Sequence, residues 1–136
     1  MYEFSGGYRY VTDEHGRVSE INARLRNEPG ERSQTVQSAA GALSRLQTDE
    51  GGHLVAVRFN GPAHEVNHIA QDIKLNRGQW RTLENQWAKG LDQGKQVDVN
   101  MKLTYPKDSQ RPSEIEVESR VDGGKPFEKL FINEAR

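Results

Sequence analysis

Two segments near the C-terminal end restrict the fold more than any other part of the chain. From Lys95 to Tyr105 the apolar residues fall at every second position: Val97, Val99, Met101, Leu103 and Tyr105. Ile115, Val117, Ser119 and Val121 repeat the pattern after a polar loop from Pro106 to Pro112. Period-two alternation turns one side of a strand to a core and the other to water, which suits antiparallel pairing with one face solvated. Asp122-Gly123-Gly124 reads as a hairpin turn, and Phe127 to Ile132 as a returning strand. Tyr8–Thr12 and Arg17–Leu25, with Asp13-Glu14-His15-Gly16 between them, read as a second hairpin, which Asn27-Glu28-Pro29-Gly30 ends.

Helical spacing occurs twice. Val36, Ala39, Ala40, Leu43 and Leu46 predict a helix from Ser33, weakened at Gly41 and ended at residues 48–52. Trp80, Leu83, Trp87 and Leu91 form one apolar stripe and predict a helix from Asn76 to Gln93. Asn76 would be its N-cap, with Gln79 completing a capping box and Gly90 and Gly94 stopping it. His53 to Phe59 reads as a strand, and Asn60-Gly61-Pro62 as a sharp turn. Residues 63–71 have only Val66 and Ile69 as apolar positions and leave helix or irregular structure open. Together these segments predict an α+β fold, an antiparallel β-sheet with helices packed against it, in a single domain over residues 1–136.

The absence of cysteine excludes disulfides and thiolate metal sites. There is no apolar run of membrane-spanning length, and MYEFSGGYRY lacks the charged-then-apolar pattern of a signal peptide. Nineteen basic residues against 20 acidic ones give a formal charge of −1. A broad basic face for nucleic acid is thereby excluded, so action on nucleic acid requires a focused site. Between residues 72 and 95, however, Lys74, Arg77, Arg81, Lys89 and Lys95 outnumber Asp72, Glu84 and Asp92.

The chemistry-bearing residues lie between Asp49 and Trp87. His53 follows Gly51-Gly52, and two glycines allow a substrate backbone to approach; imidazole is a base suited to neutral pH. Asn76 offers a hard oxygen suited to Mg²⁺. Glu84 lies two turns on, about 12 Å along a straight helix axis. Arg58, Arg77 and Arg81 are candidate phosphate holders. Each also has a structural reading: a turn histidine, a helix cap, a surface carboxylate and surface arginines. His64-Glu65-Val66-Asn67-His68 matches H-E-x-x-H, which on a helix binds zinc for peptide hydrolysis. Pro62, the thin apolar face and the lack of an obvious third ligand other than Glu84 argue against that use.

Taken in order, these pieces resemble the DNA/RNA non-specific endonuclease family, a branch of the ββα-metal (His-Me finger) nucleases. The resemblance starts at Tyr8–Val18 and is densest from Asp49 to Lys89. Asp49-Glu50-Gly51-Gly52-His53 is similar to the family's catalytic-histidine motif, Asp-Arg-Gly-His or, in its bacterial polymorphic-toxin branch, Asp-x-Gly-Gly-His. Asn67 and Gln71 resemble its Asn-x-x-x-Gln step. Leu75–Trp80 followed by Leu83-Glu84-Asn85-Gln86 resembles its metal-binding helix. Glu50 stands where many relatives carry Asp, and Gly51 where others carry Arg, so Arg58 or Arg77 is left to supply that charge.

The resemblance implies a ββα-metal core at about residues 49–93. His53 becomes the general base. Asn76 becomes the direct ligand of one Mg²⁺, with Mn²⁺ as a substitute, and Glu84 reaches the metal through water. Asn67 would orient His53 or contact phosphate, and Gln71 would join the substrate contacts. The implied reaction is sequence-non-specific hydrolysis of DNA and RNA to 5′-phosphate ends. The implied setting is a toxin domain of a larger secreted or contact-delivered bacterial protein, acting in the target-cell cytoplasm and neutralised by an immunity protein. The rival expectations are the zinc peptidase and a catalytically silent nucleic-acid-binding module.

Overall fold

The computed structural model of the protein describes residues 2–4, 7–30 and 33–134. In chain order the elements are β1 (Tyr2–Phe4), β2 (Tyr8–Thr12), β3 (Val18–Arg24), α1 (Gln34–Ala39), β4 (Asp49–His53) and β5 (His68–Asp72). Then follow α2 (Ile73–Arg77), α3 (Gln79–Asp92), β6 (Val97–Thr104), β7 (Glu114–Val121) and β8 (Phe127–Ile132). Six strands form one antiparallel sheet in the order β1-β2-β3-β6-β7-β8, and β4 pairs with β5 as a separate antiparallel hairpin. The expected α+β class is the observed one. Among the described residues no helix is long and apolar enough to cross a membrane.

The alternating segments pair as their periodicity requires. Val97, Val99, Met101 and Leu103 of β6 stand opposite Val121, Ser119, Val117 and Ile115 of β7. On the other side Met101 faces Ile21 and Val99 faces Ala23 of β3. Apart from Ser119 and the exposed Val121, these side chains share one core with Tyr8, Tyr10 and the α3 stripe of Trp80, Leu83 and Trp87. Trp80 meets Phe131 of β8 edge-on at 5.1 Å between ring centroids, and Trp87 meets Phe59 at 6.5 Å. At about 25 cal/mol per Å² of apolar burial, aromatic rings of this size supply much of what holds α3 to the sheet.

Four local expectations are corrected. The strand expected at residues 53–59 lies earlier, at 49–53, and Val57–Phe59 is a 3-10 turn closed by Asn60 at φ 59°. Leu54 and Val55 are both buried. Their chain doubles back because Phe59 and Gly61 both donate to Ala56 O. The ambiguous stretch becomes the 3-10 turn Glu65–Asn67 and strand β5.

The helix expected from Ser33 is capped there, Ser33 Oγ accepting from Val36 N at 3.2 Å, but it stops at Ala39. Gly41 takes φ 80°, and a Cβ there would lie 2.4 Å from Ala70 Cβ, so glycine is needed both for the turn and for the approach to β5. The helix expected from Asn76 is two helices. Asp72 caps α2 by accepting from Lys74 N at 3.1 Å, Gly78 breaks the run with ψ −108°, and α3 begins afresh at Gln79. Asn76 is therefore in the last turn of α2 and caps nothing, and α3 runs through Gly90 before Gly94 turns at φ 78°.

A polar lock joins the hairpin to the sheet. Arg111, in the loop before β7, grips Asp49 at two points, Nε–Oδ2 2.7 Å and Nη2–Oδ1 3.0 Å. The side chain of Asp49 is fully buried and that of Arg111 is one-tenth exposed. Asn133, just past β8, donates to Ala70 O at 3.0 Å and Pro112 O at 2.8 Å and accepts from Asp72 N at 2.8 Å. Its amide thus ties β5 to the sheet's last strand. Arg111→Met leaves a buried carboxylate without its cation, and loss of one partner in such a pair costs about 3–5 kcal/mol. Urea unfolding of this variant is expected to show a loss of that order, with Arg120→Met on the exposed sheet face within about 0.5 kcal/mol of the parent.

Candidate active site

The hairpin β4–β5 and helix α2 form a ββα unit, and α3 packs beside it. His53 is the last residue of β4, directly opposite His68. Its Nε2 lies 3.4 Å from Glu84 Oε2 on α3, with both side chains largely buried. Glu84 shares the buried face of α3 with Trp80 and Trp87, which explains why a carboxylate is carried inside. His53 Nδ1 and Glu84 Oε2 are buried and have no hydrogen-bond partner among the described residues. Both amide atoms of Gln71 and the indole nitrogens of Trp80 and Trp87 are buried without a partner as well, so it is the placement of an imidazole beside a carboxylate that sets the first two apart.

The glycines before His53 serve internal packing, not the substrate approach expected of them. A Cβ on Gly51 would lie 1.9 Å from Gln37 O of α1, and one on Gly52 would lie 2.2 Å from Gln71 Oε1. Both strands of the hairpin are thereby pressed against their neighbours, which fixes the end of β4 where His53 sits.

Asn76 donates from Nδ2 to Glu50 Oε1 at 3.0 Å. Arg77 holds the same carboxylate at two points, Nε–Oε1 2.9 Å and Nη2–Oε2 2.8 Å. The Arg77 hydrogen bonds, then the bond from Asn76 and the charge of Arg81, hold the Glu50 carboxyl below its ordinary range against the opposing effect of burial. Arg77 and Arg81 are thus gathered at one place. Arg58 is not with them: it donates to Asn85 Oδ1 at 2.7 Å and lies over the Phe59 ring.

Asn67 and Gln71, the other two residues expected at the site, lie in the interior. Asn67 is buried, and its carboxamide is saturated. Oδ1 accepts from Tyr10 Oη at 2.7 Å and Val55 N at 2.9 Å, while Nδ2 donates to Val55 O at 2.9 Å and Pro62 O at 3.2 Å. With every site used, it serves as a side-chain strand partner for Val55. Gln71 is fully buried against Gly52, and both of its amide atoms are without a partner among the described residues.

The H-E-x-x-H match does not form a zinc site. His64 and His68 flank a 3-10 turn and enter β5, so they lack the shared face that an α-helix gives residues i and i+4. His64 Nδ1 accepts from Val66 N at 3.0 Å, and His68 Nδ1 lies 2.8 Å from His64 O. Among the described residues no group of three or more His, Asp or Glu is arranged to hold a metal. The carboxamide of Asn76 and the carboxylate of Glu84 are hard oxygen donors, of the kind taken by a cation that keeps most of its waters. Sequence reasoning missed Asp49, Arg111 and Asn133, whose partners lie 60 or so residues away with no local pattern to announce them.

The chain's likenesses agree with this geometry. The model of the DNA/RNA non-specific endonuclease family matches residues 1–123. Type VII secretion system protein EssD of Staphylococcus aureus (strain USA300) is 34% identical over 137 residues, covering 96% of this chain and 22% of that protein. Probable deoxyribonuclease RhsA of Dickeya dadantii (strain 3937) is 31% identical over 87 residues, 64% of this chain and 6% of that protein. The chain therefore spans about a fifth or less of these relatives. In fold, NucA from Streptococcus agalactiae with magnesium ion bound matches with a TM-score of 0.72 at 17% identity, over 96% of this chain and 74% of that one. Sda1 nuclease with bound zinc ion matches with a TM-score of 0.71 at 13% identity, over 95% and 74%.

Burial first, and the neighbouring charges of His53 and His64 with it, push the His68 imidazole below its ordinary 6.5, although its bond to His64 O opposes this. The unfolded chain then binds the proton at a higher pH than the folded chain does. Stability is expected to fall as pH drops below 6.5 toward the depressed folded value. His68→Asn keeps an N–H donor near the Nδ1 position and removes the titration. Its urea midpoint is expected to fall less than the parent's between pH 7.5 and pH 5.5.

Proposed function

This chain belongs to the DNA/RNA non-specific endonuclease family, and from that premise we propose that it is a metal-dependent endonuclease hydrolysing phosphodiester bonds of DNA and RNA without sequence preference. The observation that carries the proposal is the buried His53–Glu84 pair at 3.4 Å, with His53 Nδ1 and Glu84 Oε2 left unengaged by the protein. The neutral imidazole of His53 takes a proton from the water that attacks phosphorus, and the Glu84 carboxylate beside it favours the imidazolium that results.

Asn76, through Oδ1, would hold Mg²⁺, or Mn²⁺ in its place, and Glu84, beside His53, would reach the cation through water. When bound, the cation polarises a phosphate oxygen and stabilises charge on the departing 3′-oxygen. Products carry 5′-phosphate ends. Arg81 and Arg77 supply positive charge to the phosphate track, and Arg58 extends it along α3. Contacts of this kind read backbone and carry no base sequence.

The likeness to EssD and RhsA supports a wider role as the toxin domain of a longer secreted or contact-delivered bacterial protein. Such a domain acts in the target-cell cytoplasm and is held in check by a cognate immunity protein.

Plasmid and total RNA are expected to be degraded with Mg²⁺ and spared in EDTA. His53→Ala is expected to lower the rate by about 100- to 10,000-fold. Tight DNA binding with no cleavage by the parent protein would instead mark a silent binding module. Expression of the parent domain in a bacterial cytoplasm is expected to arrest growth, while His53→Ala is tolerated; equal growth would count against the toxin role.

A further inference from the structure

A carboxamide has two ends of nearly the same shape. Only the oxygen end suits a cation, because the NH₂ end is a pure donor. For Asn76 to hold a metal, something must select the orientation. The helix around it is poorly suited to that task. Asn76 is in the last turn of a five-residue helix, and Gly78 ends that helix two residues later.

Glu50 has the right properties. Its carboxylate can only accept, and its Oε1 meets Asn76 Nδ2 at 3.0 Å. The reversed amide would set oxygen against oxygen. Glu50 is itself immobilised, because Arg77 engages both carboxylate oxygens at 2.9 and 2.8 Å. With both oxygens committed, Glu50 is not free to become a direct ligand. The contact also spans from β4 to the end of α2, so it fixes the position of Asn76 as well as its orientation.

We propose that Glu50, clamped by Arg77, is the positioning residue that turns the carboxamide oxygen of Asn76 toward the cation. This rests on the reading of Asn76 as the metal-holding residue. Arg77 then acts mainly through Glu50, and its contribution to substrate binding is secondary.

The test is Mn²⁺ binding by the whole chain, followed by calorimetry, with nuclease rate measured against Mn²⁺ concentration. Glu50→Gln breaks the two-point Arg77 clamp and offers Asn76 an amide that can present either end. It is expected to weaken Mn²⁺ binding about 10- to 100-fold, the usual range for a residue behind a ligand. The lost rate should return as Mn²⁺ is raised, which a fault in substrate binding or in His53 would not give. Glu50→Asp, which keeps an acceptor-only group, should retain more Mn²⁺ affinity than Glu50→Gln. In the double variant with Asn76→Ala, the Glu50 change should add nothing further. Near-parental Mn²⁺ affinity in Glu50→Gln, alongside loss in Asn76→Ala, would overturn the proposal while leaving Asn76 as the ligand. Parental affinity in Asn76→Ala would overturn the underlying reading instead. If Glu50→Gln fails to fold by circular dichroism, the comparison passes to Arg77→Ala. That variant removes the clamp from the exposed side and should weaken Mn²⁺ binding at least threefold; unchanged binding there would count against the clamp.

Discussion

Two neighbouring carboxylates on β4, each closed by an arginine, tie the rest of the molecule together. Side chains alternate along a strand, so Asp49 and Glu50 leave it in opposite directions. Asp49 turns inward to Arg111, and this buried two-point pair fastens the hairpin to the loop before β7. Glu50 turns to Arg77 and Asn76, and that pair fastens the hairpin to α2. The inner pair is costly to bury and costly to break, so it holds the hairpin in one place. The outer pair is exposed on its arginine side, contributes little to stability, and is placed for work.

The large sheet gives this arrangement a rigid back. Its inner face packs on Trp80, Leu83 and Trp87, and the same helix carries Glu84 on that buried face. The carboxylate is therefore carried into the interior by the same face that anchors the helix. The loop after His53 is held with equal firmness by Asn67, whose amide takes both backbone groups of Val55. His53 thus lies between a glycine-packed strand and an anchored loop. The chain is fixed on both flanks of the imidazole.

The parts of the fold that could be read from residue order are those governed by local periodicity. The β6 and β7 alternation and the α3 stripe are of this kind, because each depends only on which face is apolar. Residues 53–59 are not: the apolar run there reads as a strand, but Val55 pairs with the side chain of Asn67, which no local pattern reveals. The H-E-x-x-H match misled in a related way, since that spacing has meaning only on an α-helix and the segment is a turn entering a strand. Motif order names both His53 and Glu84, which the structure brings to 3.4 Å. The contacts of Arg111 and Asn133 were not legible, because a buried arginine and a surface arginine look alike until the chain is folded.

The break at Gly78 changes how the site is assembled. On one straight helix, Asn76 and Glu84 would stand about 12 Å apart along the axis and would move together. With the helix broken, they belong to separate elements, and each is anchored by a different residue of β4. Glu50 holds Asn76, and three residues later His53 meets Glu84. One short strand therefore carries the anchor for the carboxamide and the partner of the buried carboxylate. The constraint on its residues is correspondingly tight. A glycine pair separates the two anchors, because α1 on one side and Gln71 on the other leave no room for a Cβ. The spacing Asp-Glu-Gly-Gly-His thus follows from packing as much as from chemistry: lock, anchor, two close approaches, and the histidine that meets Glu84.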